Sequence, residues 1–329
     1  MASLNTYQTT VIAFLDISGL KEAVQDSLKK PERANKIESM LLGLQNRCTE
    51  LNNSQQWGPT FPNLKARAFS DSVLLTCPID SKNSTMSDNA LRKIAVISSA
   101  FQVEAATVYD FFIRGAITVG LHCDRDDVFF GPAFIEAYEA EKQLANWLRI
   151  IVLPKALDLR AHGHHPYLIT DDTGITYVDY LHLCTVNLLL QSKGPEKRQS
   201  GLHSLSWISL IEQHKTALEK AVKKLNVDSP QSLVTLSKYH SLAHYHNWYL
   251  RQVMRGPSKD FPLIELLESA LSHKKGMTKK RMAKEIAEAT GLLSQIDEIL
   301  NKRLKNCLIN IPSTFSPLRC RGAKKYIIS

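Results

Sequence analysis

Hydrophobic and polar positions alternate with two periods along this chain. VIAFLDI (Val11–Ile17) is an apolar run broken by one carboxylate, Asp16, and reads as a buried strand; Ser18-Gly19 then reads as a turn into a helical pattern. From about Glu32, just after Pro31, to Leu51, the positions of Ile37, Met40, Leu41 and Leu44 predict a helix. LKARAFSDSVLLTC alternates in two segments that pinch together at Ser70-Asp71-Ser72, which predicts a hairpin with Asp71 at a polar, exposed tip. An amphipathic helix over about Asn89–Asp110 feeds a strand at Phe111–Gly120. A short strand at Asp127–Phe130 ends in Gly131-Pro132, which opens a helix to about Trp147, and Leu148–Pro154 is the next strand.

The order β-α-α-β-β-α-β-β-α-β predicts an α+β fold: a mixed sheet with helices mainly on one face, a ferredoxin-like core with additions. Two further strand-like runs follow at Tyr167–Thr170 and Ile175–Val178. Beyond a polar, basic linker at about Ser192–Gly201 the pattern is helical, over Ser206–Lys224, Gln231–Arg255, Leu263–His273 and Met277–Leu304. The expected organisation is a core of residues 1–190, a helical extension over 191–255 packed on it, and a basic helical tail over 256–329.

Composition narrows the class. At 44% hydrophobic residues the 329-residue chain can bury a substantial core, and no apolar run approaches the roughly 20 residues needed to span a bilayer. The N-terminus carries neither a basic leader nor a signal-type apolar stretch, so the expectation is a cytoplasmic protein without membrane insertion. Six scattered cysteines lack zinc-type spacing and are expected as reduced thiols. The formal charge of +9 is uneven: residues 1–254 hold 26 Lys/Arg against 25 Asp/Glu, a net of +1, and residues 255–329 hold 15 against 7, a net of +8. The basic character belongs to the tail, as a solvated helical face or as a binding surface.

Asp16 and Asp71 are 55 residues apart in sequence but reach the same sheet edge if the first strand and the hairpin are neighbours. Such a pair can share two divalent ions, because Mg²⁺ or Mn²⁺ takes few oxygen ligands from protein and the rest from water and substrate phosphates. Asp also caps helices and occupies turns without any ligand, so the pair alone leaves both readings open.

The runs FLDISGLK (Phe14–Lys21), FSDS (Phe69–Ser72), FIRGAITVG (Phe112–Gly120) and FFGPAFIEAYEAE (Phe129–Glu141) resemble the class III (adenylate/guanylate) nucleotidyl cyclase catalytic domain. More closely, they resemble the bacterial pyrimidine cyclases of Pycsar anti-phage systems. The resemblance covers about residues 8 to 255, and KYHSLAHYHNWYL (Lys238–Leu250) looks like that subfamily's C-terminal helix. It implies that Asp16 and Asp71 bind two Mg²⁺ or Mn²⁺ ions, with the Ile17 carbonyl an additional ligand. It also implies that Ser18, Gly19 and Leu20 hold the triphosphate through backbone amides, and that Arg114 stands near the phosphates. Arg67 matches a base-reading position, and the other such position is Val128. Neither matches the purine enzymes, and an Arg donor suits the carbonyls of uracil, which favours UTP over CTP. The implied reaction closes a pyrimidine nucleoside triphosphate to cUMP, or alternatively cCMP, with release of pyrophosphate. A homodimer with sites at its interface is implied too, as is a separate effector served through the product.

Two positions depart from the family. Where class III cyclases carry a transition-state Asn and Arg, this chain has Ile135 and Glu139; Lys142 and Arg149 are the basic groups nearest in sequence that could substitute. A cyclase-like domain that binds nucleotide or a partner without turnover is therefore the second reading, and nucleic-acid binding by residues 255–329 a third and weaker one. His162, His164 and His165, and likewise His240, His244 and His246, lack a third ligand type at familiar spacing and read as structural or surface histidines, the second cluster packing a helix against the core.

Overall fold

The structure, a computed structural model, describes residues 7–53, 63–80, 82–125, 128–160, 167–184, 202–225, 229–254, 305–309 and four positions between 278 and 284. The chain divides into two compact units, one of residues 1–165 with 176–178 and one of residues 166–175 with 179–329. The helices expected over Leu263–His273 and Met277–Leu304, the linker at 192–201, and the cluster His162, His164 and His165 lie outside the described residues or nearly so.

The strands are β1 (Gln8–Ser18), β2 (Lys65–Phe69), β3 (Ser72–Pro78), β4 (Phe112–Arg125), β5 (Val128–Phe130), β6 (Ile150–Val152), β7 (Leu168–Thr170) and β8 (Thr176–Val178). The helices are α1 (Leu20–Ser27), α2 (Pro31–Asn53), α3 (Ser84–Tyr109), α4 (Pro132–Leu144), the single turn α5 (Pro154–Leu157), α6 (Leu202–Lys224) and α7 (Pro230–Met254). Together they make a mixed α+β fold with an eight-stranded sheet and a helical C-terminal region. Within the first unit the strands run in the order β2-β3-β1-β4-β6-β8, with β5 paired to β4 outside that path. All pairings are antiparallel except β4 with β6, which α4 connects as a crossover.

Strand β1 is central, and Val11 to Leu15 are at most 3% exposed, which explains an unbroken apolar run where a half-buried strand would alternate. Both its faces are covered, and by different helices. One face carries Ile12, Phe14 and Asp16 of β1, and α4 packs there through Ala133, Ala137 and Phe134. The other face carries Val11, Ala13, Leu15 and Cys77, and is covered by α3, whose Lys93 lies by Cys77, with α2 alongside. The helices are thus not gathered mainly on one face, as the element order had predicted. The buried Ala133, Ala137 and Ala140 give α4 a small-residue stripe that seats closely on the sheet.

Helix ends follow local chemistry. The Asn83 side chain accepts from the Met86 amide at 3.0 Å and caps α3. Pro132 occupies the first turn of α4, where no amide hydrogen is needed. Strand β4 runs to Arg125, past the predicted end at Gly120, because β5 folds back on it through Cys123–Phe130 pairing.

Candidate active site at one sheet edge

The site is built where β1 stops being apolar. Asp16 is the first carboxylate of the strand, paired in register with Ser72 of β3 on one side and Arg114 of β4 on the other. The Ile17 amide donates to the Asp71 carbonyl at 3.0 Å, which fixes the hairpin tip against the end of β1. The tip itself is two residues, Ser70 and Asp71, with Ser70 in the left-handed region at φ +53°. Asp16, near the end of β1, and Asp71, in the turn that leads into the adjacent β3, therefore stand at the same edge.

Burial raises the Asp16 pKa above the ordinary carboxylate range; Arg114 pulls against this, the Asp71 charge adds to it, and Lys142 opposes it. Two carboxylates at one edge, the charge of Asp71 near enough to act on Asp16, with oxygen as their donor type, fit a hard divalent cation such as Mg²⁺ or Mn²⁺. Among the described residues no three His, Cys, Asp or Glu side chains converge as a metal site, so a cation here would draw its remaining ligands from backbone, water or substrate.

Past Asp16 the chain turns at once. Ser18 ends β1, Gly19 at φ +82° is the residue preceding α1, and Leu20 is buried as its first residue. The Gly19 carbonyl accepts from the Ala23 amide at 3.0 Å, so the turn enters a genuine helix.

Arg114 lies between two carboxylates. Its Nε is 2.6 Å from Glu141 Oε1, and its Nη2 is 3.4 Å from Asp16 Oδ2. Glu141 was not singled out from the sequence. Its signal is present, however: it continues the every-fourth-residue stripe Ala133, Ala137, Glu141 that α4 turns to the sheet, and an arginine within an apolar strand needs such a partner. Arg67 is likewise committed, with Nη2 2.6 Å and Nε 3.2 Å from Asp124 Oδ1 and its guanidinium 5.9 Å from the centre of the Phe129 ring. Asp124 also accepts from Thr76 Oγ1 at 2.8 Å, and these bonds hold its carboxyl below the usual range despite burial. Asp124 is the second residue that the sequence reading missed. Val128 is 60% exposed on β5 and stands opposite Arg125.

The departures from the family pattern also have places. Ile135 and Glu139 are both exposed on α4. Lys142, on the same helix, contacts the Tyr138 hydroxyl, sits 4.1 Å from that ring's centre and is close enough to Asp16 to lower its pKa. Arg149 is buried instead, with its guanidinium 4.3 Å from the Trp147 ring centre and 5.1 Å from that of Tyr177.

In the second unit, the histidines of α7 serve the interior. His246 Nδ1 is 3.0 Å from His214 Nδ1 of α6, with the rings stacked at 5.0 Å; His214 Nε2 meets the Tyr180 hydroxyl at 2.5 Å, and His246 Nε2 meets the Cys307 carbonyl at 3.0 Å. All three contacts are satisfied at once when both rings are neutral and the protons point from Tyr180 towards Cys307. Of the cluster His240, His244 and His246, it is His246 that makes these contacts, and they join α7 to α6.

No protein-family model matches this chain, and no curated protein matches it either.

Proposed function

We propose that the chain is a nucleotidyl cyclase that converts a pyrimidine nucleoside triphosphate, UTP ahead of CTP, to its 3′,5′-cyclic monophosphate and pyrophosphate. The observation that carries this reading is the meeting of Asp16 and Asp71 at one sheet edge, with the Ser18-Gly19-Leu20 turn beside them. The ferredoxin-like cyclase arrangement is the finer reading of the mixed sheet, supported by the β1-α1-α2-β2-β3-α3-β4-β5-α4-β6 order.

In this reading Asp16, Asp71 and the Ile17 carbonyl hold two divalent ions, which when bound neutralise charge on the phosphates and acidify the ribose 3′-hydroxyl. The 3′-oxygen loses its proton to water and bonds to the α-phosphorus, the bond from that phosphorus to the oxygen bridging to the β-phosphorus breaks, and pyrophosphate leaves carrying that oxygen. The amides of the Ser18–Leu20 turn orient the triphosphate, and Arg114 stands beside Asp16. Arg67, steadied by Asp124 and the Phe129 ring, is the candidate reader of the base carbonyls. Catalysis by a homodimer follows from the family resemblance; Leu121, Val128, Phe130 and Ile135, all more than 40% exposed on β4, β5 and α4, supply apolar surface for a second copy. The product would act through a separate effector.

The test is incubation of the purified chain with each of the four nucleoside triphosphates and Mn²⁺, with products separated by mass. A cyclic pyrimidine nucleotide is the expected product. Bound nucleotide with no cyclic product would favour the second reading, a binding module without turnover, for which the exposed Ile135 and Glu139 in place of the usual Asn and Arg are the supporting observation.

Among the described residues no helix is long and apolar enough to cross a membrane.

A further inference from the structure

We propose that Glu141 is a positioning residue of this site: it takes up the Arg114 guanidinium so that the Asp16 carboxylate stays available to a divalent cation. The inference rests on the cyclase reading of Asp16 and Asp71 as a cation-binding pair.

Arg114 faces Asp16 across the β1–β4 register, so strand pairing alone delivers a full positive charge to the carboxylate that would bind a cation. An unshared guanidinium there would compete directly with the ion. Glu141 relieves that competition. It is 2% exposed against 20% for Asp16, and its oxygen is 2.6 Å from Arg114 Nε, whereas the Arg114 contacts to Asp16 are 3.4 Å long. The Glu141 contact is the shorter and lies in the drier surroundings, where charge is screened less, while Arg114 also hydrogen-bonds Asp16. Both Arg114 contacts to Asp16 fall on the same oxygen, Oδ2, which leaves Oδ1 outside the ion pair. Glu141 itself has little freedom, because it sits on the stripe of α4 that packs against the sheet with Ala133 and Ala137. In this arrangement Arg114 acts through Asp16, and Glu141 sets how strongly.

Partners that orient a metal ligand without touching the metal typically change affinity by about 10–100-fold when removed. The experiment is Mn²⁺ binding alone, without nucleotide, followed by the paramagnetic resonance signal of the free ion, on the full chain and on Asp16→Asn, Glu141→Gln and Glu141→Asp. Mn²⁺ is expected to bind the wild-type chain, to be lost in Asp16→Asn, and to be weakened by about 10-fold or more in Glu141→Gln. Glu141→Asp keeps the charge at a longer reach and is expected to fall between Glu141→Gln and wild type. Wild-type affinity in Glu141→Gln, in a chain whose binding needs Asp16, overturns the positioning role and leaves the cation-binding pair standing. A wild-type chain that binds no Mn²⁺, or binds it equally well without Asp16, removes the cation reading and this inference together. Should loss of the Glu141 charge beside Arg114 prevent Glu141→Gln from folding, Glu141→Asp decides: affinity equal to wild type overturns the proposal.

Discussion

The Ile17 amide donates to the Asp71 carbonyl at 3.0 Å, so the backbone, not the carboxylate, fixes the hairpin tip against β1. That bond survives any side-chain change at residue 71. Asp71→Ala is accordingly expected to leave the unfolding midpoint within about 0.5 kcal/mol of wild type, as for ordinary surface substitutions. Cyclic-nucleotide formation, in contrast, should fall by roughly a hundredfold or more, the scale of losing one electrostatic group at the reacting phosphate. Thermal melts and product assays on the same preparation check both halves.

Lys142 is the exposed cation beside Asp16, on the helix that carries Ile135 and Glu139 in place of the family's Asn and Arg. If a positive group from α4 meets the charge that develops on the phosphates, Lys142 is the one whose position allows it. Lys142→Ala should lower kcat by about 10–1000-fold. Stability should barely change, since exposed ion pairs contribute little. Arg149→Ala should do the reverse. It removes a buried cation held over Trp147 and Tyr177, so it should lower the melting temperature before it affects kcat at permissive temperature.

Two glycines separate backbone strain from crowding. A Cβ at Gly19 meets nothing within 4 Å, but φ is +82°, so Gly19→Ala should cost only the left-handed penalty of about 1–2 kcal/mol. A Cβ at Gly131, at φ +149°, would lie 2.7 Å from the Leu121 carbonyl oxygen and 2.8 Å from the His122 Cα, both backbone or backbone-bound atoms that cannot swing aside. Gly131→Ala should therefore cost about 3 kcal/mol or more. Denaturant midpoints of the two variants give the ranking, and equal costs would contradict it.

Much of the first unit was legible because its signals are local. The run Val11–Ile17 and the pinch at Ser70–Ser72 mark strand and hairpin, and Pro31 and Pro132 mark helix starts. The paired carboxylates could be named because each is the polar residue that ends an apolar segment. Their partners could not be named in the same way. Glu141 and Asp124 look like surface acids in sequence, and only the strand order β2-β3-β1-β4 and the seating of α4 bring them to Arg114 and Arg67. The covering of both sheet faces was hidden for a related reason: a continuous apolar strand says that two faces are buried, yet not which helix covers each.

The histidine pair of α6 and α7 gives the second unit a pH dependence whose sign is set by burial. Burial lowers the His246 pKa to about 4, against the bond to the Cys307 carbonyl that favours its charged form, and burial with the neighbouring His246 ring lowers that of His214 well below its ordinary value. In the unfolded chain both return to about 6.5, so between those values the unfolded state holds more protons than the native one. Stability from the pair is therefore complete above about pH 6.5 and is lost as the pH falls towards 4, by on the order of 3 kcal/mol for His246 alone. The chain of contacts gives the loss a structural target. A proton added to His246 sets two N–H groups against each other across the 3.0 Å Nδ1 contact, and one added to His214 sets an N–H against the hydroxyl hydrogen of Tyr180. Denaturant unfolding at steps from pH 7.5 to 4.5 should show this slope, and His246→Gln should flatten it while lowering stability at pH 7.5. A variant as steep as wild type would show that other groups carry the dependence.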